Sequence, residues 1–191
     1  MARSSSRRRA DTDSSLSITA KWYTKASPDD KGRVYTGRDR VHKILFAEID
    51  KARKAGRNPF LPFPLSGRTI YYVGPTPAPP GRIIGSAGPT TSSRMDRYTP
   101  LLLEYGLKGM IGKGDRSEDV RQAIVRFGAV YFVTYGGCGA LLASHVKEAE
   151  PVAFPELGTE AVLRLKILDF PAVVGIDSRG NVVNAERGKK T

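Results

Sequence analysis

The hydrophobic positions along the chain alternate between the spacing of a helix and that of a strand. The segment after Asp39 is predicted to form a helix that Asp39 caps and that ends at Gly56. Its apolar stripe consists of Val41, Leu45, Ile49 and Ala52. Short apolar runs rich in β-branched and aromatic residues predict strands at GRVYTG (32–37), RTIYYVG (68–74), RIIGSAG (82–88), GMIGK (109–113) and AVYFVT (129–134).

Helical segments separate most of these strands. One is predicted directly after the hydroxyl residues of GPTTSSR (88–94) and extends to Glu104. Another begins at Ser117, carries acidic residues in its first turn as the helix dipole favours, and extends to Phe127. Further elements are a helix at GALLASHV (139–146), a strand at VLRLKIL (162–168) and a hairpin at AVVGIDSRGNVV (172–183). The alternation predicts an α/β layered domain with a mixed sheet.

The ends and the composition of the chain narrow its class. Residues 1–15 are rich in Ser, Arg and Asp without periodicity, which predicts a disordered basic tail before a single domain over 16–191. No apolar run approaches the roughly 20 residues of a membrane-spanning helix, and no signal peptide is evident, so we expect a soluble cytoplasmic protein without membrane contact. The single cysteine, Cys138, excludes an internal disulfide and cannot alone hold zinc or an iron–sulfur cluster.

The net charge of +12 is concentrated in the middle of the chain. Residues 31–66 contain nine basic and three acidic side chains, residues 67–116 contain seven and three, and residues 117–191 contain nine of each. A positive field of this kind concentrates anions, whether nucleic-acid phosphates or a small carboxylate substrate. Charge alone does not separate these classes, and a solvated basic face without a function has the same composition.

The segment GPTTSSR combines four hydroxyl side chains with Arg94 at the predicted start of a helix. A helix N-terminus presents unpaired N–H groups and partial positive charge, so the hydroxyls can either cap the helix or bind an anion beside it. Four hydroxyls exceed what one cap needs, and the planar guanidinium of Arg94 suits a carboxylate. From the residues alone, plain capping and an anion site are equally open.

Two further basic residues stand at predicted strand ends. Arg38 comes just before the helix at Asp39, so it can reach across a neighbouring strand end or pair with Asp39 on the surface. Lys113 ends the strand GMIGK, and ligands of α/β sheets bind at such ends. MIGKGDR (110–116) lacks the first glycine and the Lys-Ser/Thr pair of a phosphate loop, which argues against a nucleotide site.

Five motifs in fixed order carry a family resemblance: VYTGRDRVHK, YYVGPTPA, GPTTSSRMDRYTPLLLEYGLKGMIGKG, YGGCGALL and FPAVVGIDSRGNVV. Over residues 32–185 the chain resembles the beta subunit, or C-terminal domain, of class I fumarate hydratases and the related L-tartrate dehydratases. The resemblance implies a swivelling β/β/α domain and a hydro-lyase of the tricarboxylic acid cycle that, with an alpha subunit, reversibly hydrates fumarate to (S)-malate. L-Tartrate dehydratase is the alternative within this class. A basic nucleic-acid-binding module is the alternative of another class, but the chain lacks interleaved aromatics and known nucleic-acid motifs.

The resemblance also implies where cofactor and substrate bind. Three cysteines of the alpha subunit hold a 4Fe–4S cluster, so this chain binds no cofactor alone and is inactive without its partner in an alpha2beta2 heteromer. Thr90 matches the family's catalytic base, and Arg94 matches the arginine that binds a carboxylate of the small dicarboxylate substrate. Arg38 in GRD and Lys113 in IGKG match further substrate-binding residues.

Overall fold

The computed structural model of the protein describes residues 32–182. The predicted basic tail (1–15) and Val183, the last residue of the predicted hairpin, lie outside them. Within residues 32–182 no helix is both long and apolar enough to cross a membrane. The elements in chain order are β1 (Arg33–Thr36), α1 (Asp39–Lys54), β2 (Thr69–Tyr71), a 3₁₀ helix (Ser92–Met95), α2 (Thr99–Glu104), β3 (Gly109–Gly112), α3 (Glu118–Phe127), β4 (Val130–Val133), α4 (Gly139–Ser144), β5 (Val146–Ala153), a second 3₁₀ segment (Pro155–Glu160), β6 (Val162–Ile167) and β7 (Val173–Ile176).

Seven strands form one sheet in the order β5-β6-β1-β2-β3-β4-β7. Strands β1 to β4 are parallel neighbours in chain order, whereas β6 pairs antiparallel with β1 and β7 pairs antiparallel with β4. Each connection from β1 to β4 moves to the next strand in the same direction across the sheet. Right-handed connections of this kind place their helices on the same face, so α1, α2 and α3 lie together on one side of the sheet. The predicted α/β domain with a mixed sheet and flanking helices is confirmed.

The two faces of the sheet are covered unequally. One face packs against α1, α2 and α3 in a large core that includes Leu45. The other face packs against α4, through Leu142, and against the loop 74–89 in a smaller core. Neighbouring strand residues such as Val34 and Tyr35 belong to opposite cores, because successive side chains of a strand point to opposite faces.

Two strand assignments differ from the sequence prediction. The segment 82–88 is not a strand: Gly85 N–H donates to the Thr76 carbonyl at 3.2 Å and Ser86 N–H donates to the Thr76 hydroxyl at 2.8 Å, so these donors are satisfied inside the loop and not by a neighbouring strand. Strand β5 has no counterpart in the prediction, because its charged residues and Pro151 obscure the alternation. These residues are tolerated since, within residues 32–182, β5 is an edge strand that pairs only with β6.

The helix predicted after GPTTSSR is shorter and begins later. Ser92–Met95 form a 3₁₀ helix, and α2 starts only at Thr99. Pro100 accounts for the interruption, because proline lacks an N–H group and fits only the first turn of an α-helix. The helix predicted at Ser117 is confirmed, and the Ser117 hydroxyl accepts a hydrogen bond from the Val120 N–H at 3.4 Å.

Candidate active site

The four predicted site residues lie at one edge of the sheet, where the parallel strands end. Arg38 follows β1, Lys113 follows β3, and the segment with Thr90 and Arg94 lies against the ends of β2 and β3. Because β1 to β4 run in the same direction, their carboxyl ends share this edge, which is the usual ligand-binding edge of such sheets. The fold therefore brings all four residues to the same end of the domain.

Thr90 is fixed by backbone hydrogen bonds that extend the sheet. Its N–H donates to the Tyr72 carbonyl at 2.7 Å, and the Ser92 N–H donates to the Lys113 carbonyl at 2.9 Å. These N–H groups therefore serve the sheet, and no hydroxyl of the cluster caps the 3₁₀ helix, so the capping interpretation is wrong. The Thr90 side chain is half-buried, and its hydroxyl forms no hydrogen bond with any of residues 32–182.

Arg94 forms a two-point ion pair with Asp39. Arg94 Nε lies 2.8 Å from Oδ1, and Nη2 lies 2.7 Å from Oδ2. Asp39 is the first residue of α1, and Arg38 occupies the N-cap position in which Asp39 was expected. The alternative in which Asp39 pairs with Arg38 is also wrong. The carboxylate instead joins the start of α1 to the Arg94 turn.

The Arg38 side chain extends from the end of β1 to the end of β2. A Cβ atom added to Gly74 would lie 2.8 Å from Arg38 Cδ and 3.0 Å from Nη1, so this path requires a glycine after β2. Arg38 Nε is buried and has no hydrogen-bond partner among the residues that the structure describes. An unpaired buried donor costs free energy, so the position of this side chain is maintained at the expense of one unsatisfied N–H group.

Lys113 extends from β3 toward the end of β4. A Cβ atom on Gly136 would lie 3.2 Å from Lys113 Cδ and 3.5 Å from Nζ, so the side chain lies along the glycine segment after β4. Between residues 32 and 182, neither Lys113 nor Arg38 forms an ion pair with a carboxylate. Two cations without counter-charges make this edge attractive to anions.

A buried ion pair lies beneath the Arg94 turn. The Arg116 side chain is 0% exposed, and its Nε donates to Asp96 Oδ1 at 2.7 Å while Nη2 donates to the Thr99 hydroxyl at 2.8 Å. Asp96 Oδ2 accepts the Ser117 N–H at 2.7 Å, so one carboxylate binds both the guanidinium and the start of α3. The turn that carries Arg94 is thereby held to the loop that follows β3.

Tyr131 adds a second link between the same segments. Its hydroxyl lies 2.7 Å from the Gly114 carbonyl oxygen and 2.8 Å from Ser92 Oγ. Because the hydroxyl has one proton and a carbonyl can only accept, Tyr131 donates to Gly114 and accepts from Ser92. Burial raises the pKa of Tyr131 to about 12, so this proton is present at neutral pH. A Cβ atom on Gly112 would lie 2.0 Å from Ser92 Oγ, so the link also needs glycine at the end of β3.

His42 supports the turn that carries Arg38 from inside the core. His42 Nδ1 lies 2.9 Å from the Arg38 carbonyl oxygen and therefore carries the ring proton, which leaves Nε2 as an acceptor with no partner in the described part of the chain. Burial, together with the charge of Arg116, lowers the pKa of His42 to about 4 despite the opposing effects of the Arg38 hydrogen bond and of Asp39. The ring is therefore neutral at physiological pH.

The pattern of the sequence does not reveal these supporting contacts. Asp39 and Arg94 are 55 residues apart, and Asp96 and Arg116 are 20 apart. Periodicity reports contacts within one helix or strand, and these pairs join separate segments. The only local signal is the position of Arg116 directly before the helix cap, which does not predict that its side chain is buried.

The side chains present do not fit an iron–sulfur cluster. Within residues 32–182, no three His, Cys, Asp or Glu side chains are grouped so that they could hold a metal ion. Cys138, the one cysteine of the sequence, is half-buried at the N-cap of α4. Clusters of this kind take about four ligands, mostly thiolates, so the donor set of this chain is insufficient.

The fold and the site define an α/β domain with a positively charged edge at the ends of its parallel strands. Residues 4–187 match the family model described as Fumarase C-terminus, and the chain belongs to this family. Membership in the Fumarase C-terminus family does not favour the alternative prediction that the chain is a basic nucleic-acid-binding module.

Named relatives agree with the family. The chain is 40% identical over 152 residues to "Fumarate hydratase class I, anaerobic" of Escherichia coli (strain K12), a match that covers 78% of this chain and 27% of the relative. It is 37% identical over 152 residues to "Fumarate hydratase 2" of Leishmania major, with 78% and 26% covered. It is 34% identical over 165 residues to a Methanocaldococcus jannaschii protein named provisionally as L(+)-tartrate dehydratase subunit beta, with 83% and 82% covered. The chain thus spans about a quarter of the length of the fumarate hydratases but most of the length of the beta subunit.

Proposed function

We propose that the chain is the beta subunit of a hydro-lyase that, with an alpha subunit, reversibly hydrates fumarate to (S)-malate. The main support is that Arg38, Thr90, Arg94 and Lys113 share one strand edge in a member of the Fumarase C-terminus family. Malate and fumarate are dianions at neutral pH, and a cluster of cations binds and orients such substrates.

The three basic residues bind different carboxylates of the substrate dianion. Arg94 binds one substrate carboxylate, because a guanidinium can donate two parallel hydrogen bonds to it. Arg38 and Lys113, neither of which pairs with a carboxylate among the described residues, bind the other end. With both carboxylates held, the two central carbons are fixed relative to Thr90, and this orientation lowers the barrier.

Thr90 is the proposed base. In the direction of dehydration, a proton leaves the carbon next to the one that bears the hydroxyl group, and that hydroxyl group leaves as water. Thr90 accepts this proton in dehydration and returns it in hydration. A threonine hydroxyl is a weak base unless its ionised form is stabilised, and the positive charge of Lys113, which pairs with no carboxylate within residues 32–182, favours that form.

The partner completes the site in this proposal. The donor set of this chain does not fit an iron–sulfur cluster, so we assign the 4Fe–4S cluster to the alpha subunit of an alpha2beta2 heteromer. The role of the beta chain is then to bind and orient the dicarboxylate and to move a proton at Thr90.

Dehydration of L-tartrate is the second candidate. It is supported by the Methanocaldococcus jannaschii relative, which has nearly the length of this chain and is named as a beta subunit. Tartrate is also a four-carbon dianion, so the same three cations would bind its carboxylates. Tartrate has one hydroxyl group more than malate. A site that accepts tartrate needs a hydrogen-bond partner for this additional group.

The test is an assay of the full chain, alone and with the alpha subunit that co-purifies with it, under anaerobic conditions. Fumarate hydration and L-tartrate dehydration are measured in parallel. We expect no activity from the chain alone and fumarate turnover by the pair, whereas preferential tartrate turnover would support the second candidate. Substantial activity of the chain alone would contradict a shared site. A pair that converts neither substrate would overturn the proposed function.

A further inference from the structure

Asp39 occupies one particular edge of the Arg94 guanidinium. A guanidinium has a side-on edge, formed by Nε and Nη2, and an end-on edge, formed by Nη1 and the second proton of Nη2. Nε donates to Asp39 Oδ1 at 2.8 Å, and Nη2 lies 2.7 Å from Oδ2 as an ion-pair contact without hydrogen-bond geometry, so the side-on edge faces the Asp39 carboxylate. The end-on edge has no partner among the residues that the structure describes.

We infer that Asp39 is a positioning residue: its carboxylate fixes the side-on edge of Arg94 so that the end-on edge is presented to a carboxylate of the substrate. The inference rests on the proposed function and assigns a role to a residue that does not itself touch the substrate. Asp39 suits this role because it is the first residue of α1, where the helix fixes its backbone.

The exposure of Arg94 makes such an orienting contact necessary. Half of the Arg94 side chain is exposed, whereas that of Asp39 is 29% exposed. A long side chain that is free in solvent occupies many rotamers, and the entropy of fixing it would be lost each time substrate binds. A contact that selects one rotamer beforehand removes that loss from substrate binding, which is the effect of preorganisation.

The same contact contributes little to folding. An ion pair between partly exposed groups is weak because water solvates both partners when the pair is broken. Loss of the Asp39 carboxylate should therefore leave the domain folded while it releases Arg94. Effects on folding and on substrate use are thus separable by experiment.

An opposite role for Asp39 makes an opposite prediction. If the Asp39 carboxylate competed with the substrate for Arg94, its removal would lower KM. If it positions Arg94, its removal raises KM and lowers kcat/KM, because the substrate must then order the guanidinium itself. The sign of the change in KM distinguishes the two roles.

The experiment compares Asp39→Asn with the matched control Asp50→Asn in the reconstituted alpha–beta pair. Asp50 is on the same helix and forms an exposed ion pair with Lys54 at 2.6 Å. Assays at about 0.3 M salt, where the Debye length is below about 8 Å, suppress long-range effects of the changed charge. We expect Asp39→Asn to raise KM and to lower kcat/KM about tenfold or more, with an unchanged melting temperature, and Asp50→Asn to match the wild type.

A double variant tests whether Asp39 acts through Arg94. In the Arg94→Ala background, Asp39→Asn should cause no further loss, because the group that it positions is already absent. A conservative Asp39→Glu variant, which keeps the charge but moves the carboxylate by one methylene group, should also lower kcat/KM. The inference would be overturned if the two substitutions lowered kcat/KM independently, so that their effects multiplied in the double variant. A lowered KM or wild-type kinetics in the single variant Asp39→Asn would overturn it as well.

The two possible failures are distinguishable. A wild-type pair that converts neither dicarboxylate overturns the proposed function, whereas an active pair with a neutral Asp39→Asn variant overturns only the positioning role. The contact itself is checked in the full chain alone by the ¹⁵Nε–H NMR signal of Arg94, assigned by its loss in Arg94→Lys. We expect slow solvent exchange of this proton in the wild type and fast exchange in Asp39→Asn. Equally fast exchange in both would contradict the inferred contact.

Discussion

Arg116 and Asp96 form an ion pair inside the domain, with the Arg116 side chain 0% exposed and Nε 2.7 Å from Asp96 Oδ1. The pair between Lys54 and Asp50 is different, since its side chains are 75% and 40% exposed. When one partner of an exposed pair is removed, water solvates the other. When one partner of a buried pair is removed, the remaining charge is left without compensation.

We therefore expect Asp96→Ala to destabilise the domain by about 3–5 kcal/mol, because it leaves the Arg116 charge buried and also removes the acceptor for the Ser117 N–H. Urea unfolding of the full chain, followed by circular dichroism, measures the change. The control Asp50→Ala should cost no more than about 1 kcal/mol. Equal losses in the two variants would contradict the structural importance of the buried pair.

Tyr131→Phe should loosen the segments that carry Thr90 and Lys113. The variant removes one hydroxyl group and leaves the Gly114 carbonyl and the Ser92 hydroxyl without this partner, at a cost of about 1–3 kcal/mol. Hydrogen exchange measured by mass spectrometry should become faster in the peptide that contains residues 90–96. Tyr105→Phe, at a half-buried tyrosine outside this network, serves as the control. Unchanged exchange in Tyr131→Phe would show that its hydroxyl does not hold the segment.

Arg94→Ala should leave the domain folded but lower the activity of the reconstituted pair by about a hundredfold or more, because a substrate carboxylate loses its two-point contact. The control is Arg53→Ala. Arg53 is on the last turn of α1 and forms an exposed ion pair with Glu104, which this variant breaks. Circular dichroism and a melting curve report folding, and steady-state rates report activity. If Arg94→Ala fails to fold, Arg94 is structural instead.

His42 should make stability depend on pH. The unfolded chain binds a proton at this position with the ordinary pKa of 6.5, whereas burial lowers the pKa in the folded state to about 4. Between these values the unfolded state binds more protons, so the free energy of unfolding is highest above pH 6.5 and falls as the pH is lowered toward 4. The loss is roughly 3 kcal/mol over this range.

The matched variant for this prediction is His42→Gln, whose side-chain N–H can donate to the Arg38 carbonyl but does not titrate. Urea unfolding of both proteins at several pH values gives the difference in stability, in which the titration of carboxylates cancels. We expect this difference to narrow or reverse as the pH falls from 6.5 to 4. A difference that is constant with pH would show that His42 does not titrate as its burial implies.

Elements that depend on neighbouring residues could be predicted from the sequence. The cap of α3 at Ser117 is local, and so is the final turn, where the Asp177 carboxylate accepts the N–H groups of Arg179 and Asn181. Gly180 in this turn has a φ of 83°, the left-handed region that favours glycine. In such segments the donors and acceptors are a few residues apart, so the pattern contains the information.

Elements that depend on distant partners could not be predicted in this way. The N–H groups of GPTTSSR suggest a helix start, but the carbonyls of Tyr72 and Lys113 accept two of them, and that competition appears only when the strands are assembled. The family resemblance singles out Arg38, Thr90 and the other site residues, whereas the contact of Asp39 with Arg94 depends on how the start of α1 meets the 3₁₀ helix Ser92–Met95.

The position of β1 has a consequence for synthesis of the chain. Its two neighbours are β2, which follows soon, and β6, the last strand but one of the described residues, and the Thr36 hydroxyl donates to the Ala161 carbonyl 125 residues later. Until β6 leaves the ribosome, one edge of β1 has free N–H and C=O groups, the kind of template on which partly made chains aggregate. We therefore expect a nascent chain to aggregate more readily before β6 has emerged than after it has paired with β1.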